Sequence, residues 1–185
     1  MVLLESKENI QKKLQHFQLN TPNGAPVSTS EHMGDKGCLI IVTCNHCPYA
    51  QALWERTIND APKINALGFS MLAINPNINP DYPEDNPQNM QVLIDQHNLP
   101  FPYLVDVNQS VVRDLDAQCT PEFFLVDTNM NLIYHGAYDN NWKDPSAVTE
   151  QFILSAMESY INTGASGIQK VMPSIGCSIK WINAS

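Results

Sequence analysis

Two cysteines separated by two residues, in Cys44-Asn45-His46-Cys47-Pro48, are the side chains here best suited to covalent chemistry. A pair at this spacing can close a small disulfide ring. The ring would sit where an apolar run, Cys38–Thr43, gives way to a helical pattern that opens at Pro48. Unpaired N–H groups and the positive dipole end at a helix start stabilise a thiolate placed there. A thiol so held is a better nucleophile near neutral pH. His46, between the two, offers positive charge or a proton. By position, Cys44 is expected to be the more exposed nucleophile and Cys47, one turn into the helix, its resolving partner. The first thiolate would form a mixed disulfide that the second opens. The competing reading is half a zinc site, which needs about four ligands. No second CxxC exists and the five histidines are scattered, so no metal and no cofactor are expected. Convergence of Cys44, Cys47, Cys119 and one further ligand would instead favour a metal or iron–sulfur centre.

These residues must be positioned by strands and helices. Asn23-Gly24 marks an N-terminal hairpin, and Gly34–Gly37 marks a second turn. Cys38–Thr43 is continuously apolar, as central parallel strands are. Beyond Pro48, apolar or small residues at Ala50, Leu53, Trp54, Thr57, Ile58 and Ala61 predict a helix that Pro62 breaks or kinks. Phe69–Ile74 and Phe101–Val105 read as strands, Pro87–Asn98 as a helix capped by Asp85 or Asn86, and Ser110–Ala117 as a short helix. Glu122–Asp127 and Leu132–His135 read as a hairpin, and Pro145–Asn162 as the last helix. Gly164–Ser185 shows no regular pattern. Asn75–Asn86 reads as a long ordered loop at the carboxyl end of the sheet, bordering the dithiol. The order predicts one α/β domain with a mixed sheet flanked by helices.

A CxxC at the end of a central strand, with Thr120-Pro121 directly before Glu-Phe-Phe-Leu-Val-Asp, resembles a thioredoxin-like fold. The N-terminal hairpin resembles the redoxin branch, the alkyl hydroperoxide reductase and thiol-specific antioxidant superfamily. More narrowly, a peroxiredoxin-like subfamily is resembled by Cys44–Tyr49, by Ile74-Asn75 with Tyr82–Asp85, by Cys119–Phe124 and by Gly176–Trp181. The resemblance implies a thiol-disulfide oxidoreductase with an antioxidant role or a dithiol peroxidase; a metal-binding or redox-sensor module without turnover is the alternative. It implies that Pro121 is cis and leaves backbone open to an extended substrate strand. It also implies protein or small-molecule disulfide or peroxide substrates and a reducing dithiol protein as partner. Some family positions are differently occupied. The peroxiredoxin Thr or Ser lies three residues before the reactive cysteine; here that place holds Cys44 (for Cys47) or Ile41 (for Cys44). The peroxiredoxin Arg falls at Pro121, and the chain's only arginines are Arg56 and Arg113. The thioredoxin buried acid falls at Cys38, and its aromatic before the first cysteine at Thr43.

The remaining cysteines divide by setting. Cys119, two residues before Pro121, reads either as a small buried residue or as a third exchanging thiol. Cys177 reads as a possible distal resolving thiol if the tail folds back, and Cys38 as core. Trp54 and Trp142 read as core and loop anchors, and Trp181 as a pin for the tail. The expected layout is a redoxin domain over residues 1–163 and a tail over 164–185 packed on it. Net charge is −9, from 10 basic and 19 acidic side chains, which argues against nucleic-acid binding. No apolar run reaches the roughly 18 residues of a membrane span. The start at Met1 develops no signal-peptide core, and the odd cysteine count speaks against a fully paired secreted framework. A cytoplasmic address is expected. Oligomeric state is not legible.

Overall fold

The structure, a computed structural model, describes residues 3–6, 13–167 and 172–182. The reading of the start at Met1, and of tail residues 168–171 and 183–185, lies outside the described residues. In chain order the elements are β1 (Leu3–Glu5), β2 (Gln18–Asn20), β3 (Pro26–Ser28), α1 (Thr29–His32), β4 (Gly37–Val42), α2 (Pro48–Ala66) and β5 (Phe69–Asn75). There follow α3 (Pro87–His97), β6 (Tyr103–Val105), α4 (Ser110–Asp114), β7 (Cys119–Thr120), β8 (Glu122–Asp127), β9 (Leu132–Gly136), α5 (Phe152–Thr163) and β10 (Ile175–Ser178).

Seven strands form a mixed sheet in the order β3-β2-β6-β5-β4-β8-β9. β5 runs parallel to β4 and β6, while the other pairs are antiparallel. All six residues of β4 are buried, because both faces of the strand are covered. Leu39 and Ile41 point into one core with Trp54 of α2, Met90 of α3 and Phe152 of α5. Cys38, Ile40 and Val42 point into the other with Val111 and Val112 of α4. This is the thioredoxin-like α/β architecture with an N-terminal hairpin. The hairpin is β2–β3, with Asn23-Gly24 in its loop and Gly24 at a positive φ of 88°.

Three elements depart from expectation. α2 runs through Pro62 to Ala66 without the break that was one of the two expected effects; burial of Ala61 and Ile64 beside the proline offsets a helix-interior cost of about 3 kcal/mol. The last helix begins only at Phe152, behind a single 3-10 turn at Pro145–Ala147. The side chain of Asn140 accepts the N–H groups of Thr149 (3.0 Å) and Glu150 (3.2 Å), holding that segment out of helical register. The tail is not irregular: β10 is the middle strand of a second, three-stranded sheet, β1-β10-β7.

Candidate active site

β4 delivers the chain to Cys44, and Cys47 is the N-cap of α2, with Pro48 in the first helical turn. Pro48 suits that place because its missing N–H would be unpaired there anyway. Neither Cys44 nor Cys47 has exposed surface (0% each), so Cys44 is not the more exposed of the two. The N-terminal turn of α2 surrounds Cys47. Its Sγ lies 2.6 Å from Cys177 Sγ and 3.1 Å from the Thr120 carbonyl oxygen. Cys44 Sγ lies 3.3 Å from Thr120 Oγ1.

These contacts polarise the two thiols in opposite directions. Cys47 is lowered to about 5, chiefly by the Cys44 thiol donating to it; the Cys177 thiol and the backbone N–H groups of Ala50 and Cys177 add to this. Burial opposes that shift, and the four donors outweigh it. Cys44 is raised well above the ordinary thiol value by burial, by sharing its proton with Cys47 and by the negative charge of Asp85. Cys177 is pushed up to about 12, first by burial and then by the same sharing. The contacts favour charge on Cys47 over its neighbours Cys44 and Cys177.

The loop at 75–86 does border this site. Asp85, fully buried, pairs with His46 Nδ1 and accepts from the Asn45 N–H at 2.6 Å. Asn75 Nδ2 adds a third donor at 3.3 Å. The Asp85 carboxylate holds the His46 imidazole above its ordinary pKa. The His46 ring stacks on Tyr82 with centroids 5.0 Å apart, and the Lys180 ammonium lies over the Tyr82 ring at 5.2 Å. Asn45 ties the motif down, donating to the Glu84 carbonyl (2.9 Å) and accepting from the Tyr103 hydroxyl (2.9 Å). Sequence reasoning placed Asp85 in the loop, as a helix cap and within the resembling segment Tyr82–Asp85, but missed it as the partner of His46. The usable signal was an acidic residue in a long loop at the sheet's carboxyl end. One donor atom each from Cys44, His46 and Asp85 lie within 4.8 Å of one another, a spacing open to a cation. Each already has a protein partner, so the cluster is satisfied by hydrogen bonds alone.

The Thr120–Pro121 peptide bond is cis. The backbone beside it is not open, contrary to expectation, because β10 pairs with β7 and sets Cys177 opposite Thr120. Cys119 is buried among acceptors: the carbonyls of Pro121 (3.8 Å) and Ser174 (3.7 Å), and the Glu122 carboxylate (3.8 Å). Burial first, and then Glu122, push its thiol pKa up. Glu122 accepts from Gln118 N (2.7 Å), Cys119 N (3.0 Å) and His135 Nε2 (2.6 Å). A buried acid therefore stands near the thiols, but on β8 rather than at the thioredoxin position that Cys38 fills. Neither arginine reaches the sulfurs. Arg56 binds Asp139 and the carbonyls of Asn141 and Trp142, and Arg113 stacks 4.5 Å from the Trp181 ring. An apolar pocket of about 110 Å³ lies beside Pro121, lined by Leu53, Phe123, Tyr138, Trp142 and Ile175 among others.

A buried dithiol at a strand–helix junction beside a cis-proline, on this sheet order, defines a thioredoxin-like redoxin. The chain belongs to the AhpC/TSA family, which it matches over residues 10–135. No curated protein sequence matches it. Among solved structures, an uncharacterized conserved protein from Geobacillus kaustophilus is 32% identical, with a TM-score of 0.90 over 100% of this chain and 99% of that one. A peroxidoxin from Mycobacterium tuberculosis shares the fold at 12% identity and TM-score 0.57, over 82% of this chain and 90% of that one. A secreted disulfide oxidoreductase of the same organism does so at 18% and 0.56, over 76% and 92%. At that coarse level the chain is a thiol redox protein. No helix among the described residues is long and apolar enough to cross a membrane.

Proposed function

We propose that this protein is a thiol-disulfide oxidoreductase in which Cys47 is the attacking thiolate and Cys44 a resolving thiol. This reverses the roles expected from motif position. The observation that carries the reading is the placement of Cys47 at the N-cap of α2, facing donors from Cys44, Ala50 and Cys177. The thiolate attacks an oxidised sulfur and expels a thiol; the Cys44 sulfur then displaces the bound group and leaves a Cys44–Cys47 disulfide. A reducing dithiol protein would return both to thiols, in a reducing compartment such as the cytoplasm. His46, raised above its ordinary pKa by Asp85, offers positive charge or a proton beside the dithiol and tunes the thiolate. Thr120 and Pro121 frame the sulfurs. Cys119, surrounded by acceptors, is assigned a packing role.

A second reading, a dithiol peroxidase, is favoured by one observation: Cys44, Cys47 and Cys177 have no exposed surface, which suits a small oxidant better than a folded one. In that case a hydroperoxide O–O bond breaks as Cys47 becomes a sulfenic acid, and a neighbouring thiol closes the disulfide with loss of water. Turnover assays with hydrogen peroxide and with a small disulfide, each driven by a dithiol reductant, separate the two readings. Turnover of neither, with Cys47 unreactive to iodoacetamide at pH 7, would sink both.

A further inference from the structure

β10 occupies the strand edge where an extended substrate was expected. Cys177 sits opposite Thr120, Ser178 opposite Cys119, and β1 seals the far side of β10 with Leu3 opposite Cys177. The fit leaves no slack. A Cβ on Gly176 would lie 2.1 Å from the Thr120 carbonyl oxygen and 3.1 Å from the Pro121 nitrogen, so only glycine allows this approach.

The chain past Cys177 is anchored by buried polar side chains. Asn77 Oδ1 accepts from Lys180 N at 2.9 Å. Gln109 donates to the Lys180 carbonyl at 2.8 Å and accepts from Ile182 N at 2.9 Å. Asn77 and Gln109 are themselves almost wholly buried. On the other side, Ser174 donates to the Gly136 carbonyl at 2.6 Å. The anchors bracket Cys177 and leave its sulfur aimed at Cys47. The 2.6 Å separation is about 0.6 Å longer than a disulfide bond.

We propose that Cys177 is a third redox thiol of this site, presented by β10 as a built-in substrate strand, and that it joins Cys47 in a disulfide which Cys44 then opens. The inference rests on Cys47 being the attacking thiolate. With a hydroperoxide as oxidant, the Cys47 thiolate attacks the terminal oxygen and the O–O bond breaks. The leaving alkoxide or hydroxide takes a proton from water, and Cys47 is left as a sulfenic acid. The Cys177 sulfur attacks the Cys47 sulfur; the S–O bond breaks, and the hydroxyl leaves as water with the thiol proton. Cys44 next attacks Cys47 and forms the Cys44–Cys47 disulfide. The electron pair returns to Cys177, which takes up the proton Cys44 gives up. That last exchange consumes no oxidant and releases β10 from its covalent tie.

The test uses the full chain, fully reduced, treated with one equivalent of hydrogen peroxide, alkylated and mapped by mass spectrometry. Cys44→Ser should trap a Cys47–Cys177 disulfide as the main oxidation product. Given a roughly tenfold excess of peroxide, whose second equivalent oxidises a waiting sulfenic acid, Cys177→Ser should accumulate on the order of tenfold more Cys47 sulfinic acid than the wild type. Gly176→Ala in the Cys44→Ser background should lower the yield of the trapped bond by lifting β10 off β7. If Cys47 oxidises in Cys44→Ser while Cys177 stays fully alkylatable, the third-thiol role is wrong and the Cys47 reading survives. If Cys47 oxidises in no variant, with hydrogen peroxide or with a small disulfide, both fail.

Discussion

Cys47 and Cys119 lie at the same end of the sheet and are both fully buried, yet their surroundings have opposite sign. At the N-terminus of α2, Cys47 meets thiol and amide donors and is lowered to about 5. On β7, Cys119 meets two carbonyls and a carboxylate and is pushed up. Burial alone raises a thiol, since it disfavours the charged form. The orientation of neighbouring dipoles, not depth, separates the two thiols, and on the proposed reading it selects Cys47 for reaction.

The largest effect expected from this comparison is at Cys47 itself. Cys47→Ser should lower turnover with any oxidised substrate by at least about 10⁴-fold, the scale of losing a covalent nucleophile. A loss under tenfold would move the nucleophile elsewhere and dissolve the contrast.

The pH dependence sharpens the same point. Iodoacetamide alkylation of Cys47 should rise with a midpoint near the lowered value of about 5, rather than near an ordinary thiol's value of about 8.5. The sign follows from the lowered pKa. Charge on Cys47 favours the folded state, so this stabilisation is full above the unfolded thiol value and is lost as pH falls through about 5. A midpoint above 8 would place Cys47 with Cys119.

Asp85→Asn tests the electrostatic support for the first region. It removes the charged partner of His46 and weakens the acceptor of Asn45 N, at a cost of about 1–3 kcal/mol by denaturant unfolding. The His46 titration, followed by NMR, should shift to lower pH. An unmoved His46 midpoint would remove Asp85 from the account.

Gln109→Ala deletes the hydrogen bonds to Pro76, Lys180 and Ile182. It should cost about 1–3 kcal/mol, with the loss concentrated in faster amide exchange at β10. Exchange that rises evenly over the whole chain would show that these bonds do not hold the tail in particular.

The smallest effect is at the other pole. Cys119→Ala should leave the Cys47 alkylation rate within about twofold and cost about 1 kcal/mol in stability. A large drop in rate would show that the two regions act as one relay.

Much of the site was legible because its signals are local. Cys44, His46 and Cys47 share five residues with the strand end and the helix start. Pro121 announces itself ahead of an apolar strand. The bordering role of the 75–86 loop followed from its place after β5. Other features were not legible because their causes are remote. β10 carries no alternating pattern, since Gly176 has no side chain and its strand partners lie at β7 and β1. The late start of α5 depends on the side chain of Asn140, ten residues upstream of Glu150. Glu122 and His135, polar groups inside apolar strands, were passed over although they explain each other as buried partners.

By itself the sequence determined the α/β order, the two cysteines placed where a strand meets a helix, and the proline beside them. It could not determine which sulfur carries the charge. That depends on donors from Cys44, Ala50 and Cys177 converging on Cys47, and Cys177 lies 130 residues away along the chain. Only the docking of β10 on β7 brings it there, because a strand edge is satisfied by whichever backbone reaches it in register.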